Sequence, residues 1–160
     1  MGIFSRLFGR RQEEPDAPIE APSTKVVTHK IAGTSFRQEA LQAMGEKNPE
    51  YNLTKRELLK LYPNGVTVYE YIFEPRRAHL VPEPENPEDP NAIKVVIDGA
   101  HVGYIKAGSC AHIRRLMRES RIGKIEARII GGKYRAVYEY VDKGEQPFGV
   151  RLDITERVVP

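Results

Sequence analysis

The sequence predicts a mainly β domain of α+β character: a small barrel with two or three short helices, preceded by a tail. Three observations predict it. Short runs of β-branched and aromatic residues recur between Gly, Pro and Asn-Asp turn signals. One of them, Val66–Phe73, carries apolar residues on both faces, as a barrel strand covered on two sides does. Helical start and stop signals occur at only a few places. With 160 residues, 40% of them hydrophobic, the chain can build one modest core and carry some tail besides.

Met1–Arg11 places Ile3, Phe4, Leu7 and Phe8 at helical spacing beside Arg6, Arg10 and Arg11. A basic amphipathic segment of this kind can lie on a membrane or dock on a partner, although a helix so short is marginal alone. Gln12–Thr24 interleaves Glu13, Glu14, Asp16 and Glu20 with Pro15, Pro18 and Pro22, which denies it a packed core. Residues 1–24 therefore read as a flexible tail, and 25–157 as the folded domain.

Lys25–Thr34 is rich in β-branched residues and ends at Gly33. Arg37–Met44 has a helical pattern with Gly45 as its stop. Thr54-Lys-Arg-Glu57 is a capping box opening a helix to about Leu61, and Tyr62-Pro-Asn-Gly65 turns the chain. After Val66–Phe73 come strands Ala78–Val81 and Ala92–Ile97, then the hairpin signal Asp98-Gly99 and strand His101–Ile105. Ser109–Ser120 reads as a helix with Ile113, Leu116 and Met117 inward. Lys124–Ile130 and Lys133–Val141 are expected to pair across a second hairpin at Gly131-Gly132, and Phe148–Thr155 closes the domain. No internal repeat is visible.

Several function classes are excluded or disfavoured. No apolar run approaches the roughly 18 residues of a spanning helix. The first residues lack the apolar stretch and cleavage site of a secretory signal, and the one cysteine, Cys110, forbids an internal disulfide, so a reducing cytoplasmic setting is expected. Gly123-Lys124 lacks the upstream glycine and the hydroxyl residue of a nucleotide-binding loop. Cys110 with His112, and the scattered His29, His79 and His101, do not have the spacing of a zinc site. No cofactor and no metal are expected. A net charge of +3 and pI near 9.0 permit nucleic-acid binding without demanding it.

Val81–Asn91 is the unusual stretch. Pro82, Pro84, Pro87 and Pro90 stiffen a loop that also carries Glu83, Glu85, Asn86, Glu88, Asp89 and Asn91. Proline fixes φ and removes backbone donors, and Asn and Asp bond nearby N–H groups in turns, so this loop is rigid without ladder bonds. On residue types alone it is a well-braced connection between strands.

Gly33-Thr-Ser-Phe-Arg37, then Leu80-Val-Pro-Glu-Pro-Glu-Asn-Pro-Glu-Asp-Pro-Asn-Ala-Ile-Lys-Val95, then Val102-Gly-Tyr-Ile105 and the helix after it resemble the HIRAN domain, found in helicase-like DNA-repair translocases and alone in many bacterial and phage proteins. The likeness runs from about Lys25 to Thr155. It implies a modified OB-like barrel that captures single-stranded DNA at a free 3′ end in repair or fork processing. OB-type surfaces hold single strands by stacking bases on aromatic rings beside a basic track.

By that resemblance Phe36 stacks on a base and Arg37 stands in for an arginine that Ser35 replaces. Asn86 and Asp89 read the terminal nucleotide. A carboxylate repels phosphate but accepts a hydrogen bond from a hydroxyl, so Asp89 favours a 3′-OH end. Glu88 stands where DNA-binding relatives carry tyrosine, which removes a stacking ring. Tyr104 replaces a histidine, Lys106 can pair with a phosphate, and Tyr134 is near a further expected aromatic. Tyr104 and Tyr134 are equally consistent with packing at a barrel mouth. Arg114, Arg115, Arg118, Arg121, Lys124, Arg128, Lys133 and Arg135 form a basic run that can follow a phosphate backbone or serve as a solvated face.

The expected function is thus a non-catalytic module for single-stranded DNA or DNA 3′ ends. One rival is a protein-interaction or membrane-tethered adaptor working through residues 1–11. The other is a metal-dependent nuclease using Glu85, Glu88, Asp89 and Asp98.

Overall fold

The computed structural model describes residues 22–159, so the expectations for residues 1–11 and most of the proline-rich segment after them lie outside the described residues. Strand β1 (Thr24–Lys30) leads through a one-turn 3₁₀ helix (Thr34–Phe36) into α1 (Gln38–Ala43) and the short β2 (Glu46–Lys47). A second 3₁₀ turn (Pro49–Asn52) precedes α2 (Lys55–Leu61), β3 (Val66–Tyr69) and β4 (Tyr71–Ile72). The hairpin pair β5 (Arg76–Pro82) and β6 (Ile93–Ile97) is followed by β7 (Ala100–Tyr104) and α3 (Ala107–Arg118). Two long strands, β8 (Ile122–Val137) and β9 (Val141–Arg157), complete the chain.

The antiparallel main sheet runs β1-β9-β8-β5-β6-β7, with β3 pairing the far half of β8, while β2 and β4 form a separate ribbon. The sheet curls into a half-barrel. Its β7 edge returns to the chain just after β1, where Ala32 and Tyr104 exchange two backbone hydrogen bonds of 2.9 Å. Period-two alternation fills the interior: Ile93, Val95 and Ile97 of β6 and Phe148, Val150, Leu152 and Ile154 of β9 are buried. The amphipathic α3 adds Cys110, Ile113 and Leu116 to this core. Leu58, Val68 and Val137 form a second cluster where α2 meets β3 and the end of β8.

Most local signals are realised. The Thr54 hydroxyl accepts from Glu57 N–H while the Glu57 carboxylate accepts from Thr54 N–H, closing the capping box. Asp98 and Gly99 both have positive φ, 49° and 78°, as a tight two-residue hairpin turn requires.

Two expectations are corrected. Val66–Phe73 is not one strand, because at Glu70 the backbone changes partner. Glu70 N–H donates to Lys133 O at 2.8 Å, whereas Glu70 O accepts from Asn48 N–H at 2.8 Å. The chain thereby leaves β8 and joins β2. Nor is Gly131-Gly132 a hairpin turn. It lies inside the continuous β8 opposite a bulge of β9, where Pro147 and Phe148 face the single residue Gly131 and the register shifts between Ile130 and Gly132. Both glycines have positive φ, and a Cβ on Gly131 would lie 2.3 Å from Pro147 O. The glycines therefore serve close backbone approach and bending. The reversal occurs instead at Tyr138-Glu139-Tyr140, where Tyr138 N–H donates to Tyr140 O.

Candidate nucleic-acid interface

Phe36 is 87% exposed, more than any other large hydrophobic side chain among the described residues. The turn that presents it is held firmly. Gly33 enters it with φ 74°, and the Gln38 side chain donates to Thr34 O at 2.8 Å and to Phe148 O at 2.9 Å. The same amide accepts from Phe148 N–H at 2.8 Å, so Gln38 pairs with the β9 backbone much as a neighbouring strand would. Single exposed apolar residues are ordinary. A phenylalanine raised on a clamped turn presents its ring to solvent from a fixed backbone.

Arg37, the next residue, donates from Nη2 to His101 Nδ1 at 2.9 Å. Arginine has no acceptor, so Nδ1 is the unprotonated nitrogen and Nε2–H donates to Gly103 O at 3.0 Å. Burial and then the Arg37 charge hold the His101 pKa below its ordinary value of 6.5. The imidazole stands edge-on to the Tyr104 ring, centroids 4.7 Å apart. In an unbroken strand residues 101 and 104 face opposite sides. Here Val95 pairs with Gly103 and Val96 with His101, which makes Val102 the extra residue of a bulge and turns both rings to one side.

The Val102-Gly-Tyr-Ile motif is now intelligible residue by residue. Val102 and Ile105 enter the core, at 0% and 3% exposure. Gly103 lets the Ile31–Ala32 backbone approach, since a Cβ there would lie 2.4 Å from Ala32 O. Tyr104 is left facing the site.

Interaction of the Tyr104 hydroxyl with the Glu83 carboxylate pushes the phenol up and holds the carboxyl below its usual value. Lys94, cross-strand from Tyr104, stands 4.0 Å from Glu83. Glu83 begins the proline-rich loop, whose bracing falls to Asn86. The Asn86 side-chain Oδ1 accepts from Glu88 N–H at 3.0 Å and Asp89 N–H at 3.2 Å. Asp89 Oδ1 accepts from Asn91 N–H at 2.8 Å, and Arg114 of α3 clamps the loop through Pro90 O and Asn91 Oδ1. Lys106 is exposed at the N-cap of α3.

Arg37 and Tyr104 are thus brought together, with Phe36 beside Arg37, and Glu83 links Tyr104 to the loop of Asn86 and Asp89. Asn86 is consumed by bracing, while Asp89 keeps a second carboxylate oxygen without a partner among the described residues. Tyr134 lies elsewhere: it packs on Tyr69 in the β3–β8 pairing, centroids 5.9 Å apart, and its hydroxyl end abuts Gly144. Much of the basic run is also structural. Arg135 holds Tyr51 O and Leu53 O, Arg128 forks onto Asp153 at 3.1 Å, and Arg121 bonds Glu119 and Arg157 O.

The four carboxylates suggested for a metal do not gather. Asp98, paired with Arg76, sits at the opposite end of β6 from the loop of Glu85, Glu88 and Asp89. Among the described residues no three His, Cys, Asp or Glu side chains form a group that could hold a metal ion. No helix among them is long and apolar enough to cross a membrane.

The family model described as the HIRAN domain matches residues 59–143, more than half of the chain. The chain belongs to the HIRAN domain family. HIRAN domains are in general DNA-binding modules. The matched stretch holds Asn86, Asp89, Tyr104, Lys106 and Tyr134, while Phe36 and Arg37 precede it. Neither the curated proteins nor the solved structures provide a match. Two residues of this cluster, His101 and Glu83, are not legible as such in the sequence. His101 had a signal only in the Val-Gly pair that forms the bulge beside it.

Proposed function

We propose that this HIRAN domain is a non-catalytic module that captures single-stranded DNA at a free 3′-OH end and serves repair or fork processing. The observation that carries the reading is the clamped, 87% exposed Phe36 next to Arg37. Such a ring stacks on a base of any identity, and Arg37, with most of its five donors unspent, reaches the adjoining phosphate.

The acidic loop supplies the selectivity. The loop carries Glu83, Glu85, Glu88 and Asp89, and their charge disfavours a terminal phosphate. The free Asp89 oxygen suits a hydroxyl donor. Glu88 deprives the site of a second stacking ring, so binding rests on Phe36, with Tyr104 as a lesser partner.

The test is a fluorescence titration with two oligonucleotides that differ only in carrying a 3′-OH or a 3′-phosphate. Tighter binding of the 3′-OH strand supports the proposal. Equal binding of both would refute end recognition.

A further inference from the structure

A groove of about 860 Å³ opens between β5, the last turn of α3 and the start of β8. Arg77, Lys124 and Arg157 stand on its rim, and Leu80, Met117 and Ile125 form its floor. Arg77 is exposed and has no hydrogen-bond or ion-pair partner for its side chain among the described residues, and Lys124 has only a rim pair with Glu126. A second groove beside Asp89 and Asn91 carries Arg114 and Arg118 along α3. The last turn of α3 borders both, with Arg118 lining one and Met117 the other. The same two elements, β5 and α3, therefore lead from the signature loop to the basic groove.

We infer that this groove is a second contact for the same DNA strand: the backbone 5′ of the captured end runs along α3 past Arg118 and lies between Arg77 and Lys124. The inference rests on the end-capture reading above for its polarity. A rim of exposed cations, Arg77 without any partner among the described residues and Lys124 and Arg157 lightly engaged, over an apolar floor suits a single strand, whose phosphates meet the rim while its sugars and bases cover the floor. The 12 residues of α3 span about 18 Å. A track of that scale matches the roughly 4–16 nucleotides that one OB-type fold accommodates.

The experiment compares the wild-type chain with Arg77→Glu/Lys124→Glu on 3′-OH oligonucleotides of about four and about twelve thymidines. The wild type should bind the longer strand about tenfold more tightly, and the variant should bind both alike. The slope of log K against log salt for the longer strand should flatten by about 1.4, two contacts at roughly 0.7 each. A variant that keeps the length advantage, or a wild type that has none, overturns the inference. Capture of a polyglutamate peptide without any length effect on DNA would assign the groove to acidic protein and also overturn it.

A longer strand carrying a 3′-phosphate separates the two readings. If it retains the groove-dependent advantage and binds as well as the 3′-OH strand, end capture fails while the groove stands. Retention of the 3′-OH preference by the variant shows that it folds, and Arg77→Gln/Lys124→Gln should give an intermediate loss.

Discussion

Arg37 and His101 share one hydrogen bond of 2.9 Å, from the guanidinium to Nδ1, and it exists only while the imidazole is neutral. The bond fixes Arg37 beside the exposed Phe36 and fixes the imidazole against Tyr104, so the charge state of one ring sets the geometry of the site.

A pH dependence follows. The folded-state pKa of His101 is depressed from 6.5, chiefly by burial and then by Arg37. Below 6.5 the unfolded chain binds the proton more readily, so the stability contribution is complete above that pH and is lost as pH falls through the folded value. His29, also depressed by burial, acts in the same direction. Thermal unfolding followed from pH 7.5 downward should show Tm falling below about 6.5, and His101→Gln should reduce that dependence. An unchanged pH profile in the variant would assign the effect elsewhere.

Removing the Phe36 ring separates binding from folding. Phe36→Ala should leave stability within about 0.5 kcal/mol, because the side chain is largely in solvent already. Its loss should weaken single-stranded DNA binding by about 1–3 kcal/mol, the worth of one stacked base. Denaturant melts and anisotropy titrations check the two halves separately.

Gln38→Ala is expected to do both. It leaves the Phe148 N–H and C=O without their partner and frees the Phe36 turn. The cost is about 1–3 kcal/mol in denaturant unfolding, accompanied by weaker DNA binding.

Gly131→Ala tests the bulge. With φ at 104° and Pro147 O 2.3 Å from a new Cβ, the two strands must separate. A loss of several kcal/mol is expected. A mild effect would mean that β8 and β9 can part there cheaply.

The parts of this fold that were legible in the sequence are those set by neighbours along the chain. Thr54 and Glu57 announce a helix start because both capping bonds are local, and Asp98-Gly99 announces a turn because its φ values are. Gly131-Gly132 carries the same local signal for a different reason, the approach of a strand 16 residues later at Pro147, which no local reading supplies. The true reversal at Tyr138-Glu139-Tyr140 contains no turn-forming residue at all. At the site, Phe36, Arg37, Asn86 and Asp89 are legible through the family's motif, while His101 reads in the sequence as a scattered histidine. It joins Arg37 and Tyr104 only because the bulge at Val102 rotates it. Arg135 illustrates the converse, a cation in a basic run whose charge is spent on two backbone carbonyls.

On the proposed reading, the loop of Asn86 and Asp89 distinguishes a terminal hydroxyl from a phosphate. The most direct measurement is the affinity ratio for 3′-OH over 3′-phosphate strands in the wild type, Asp89→Ala and Asp89→Asn, at low salt. Asn retains an acceptor for Asn91 N–H, so it changes the charge while sparing the loop. The wild type should prefer the 3′-OH strand, with the preference shrinking in Asp89→Asn and vanishing in Asp89→Ala. A ratio of one in the wild type, or a ratio that both variants preserve, would show that the loop does not read the 3′ end.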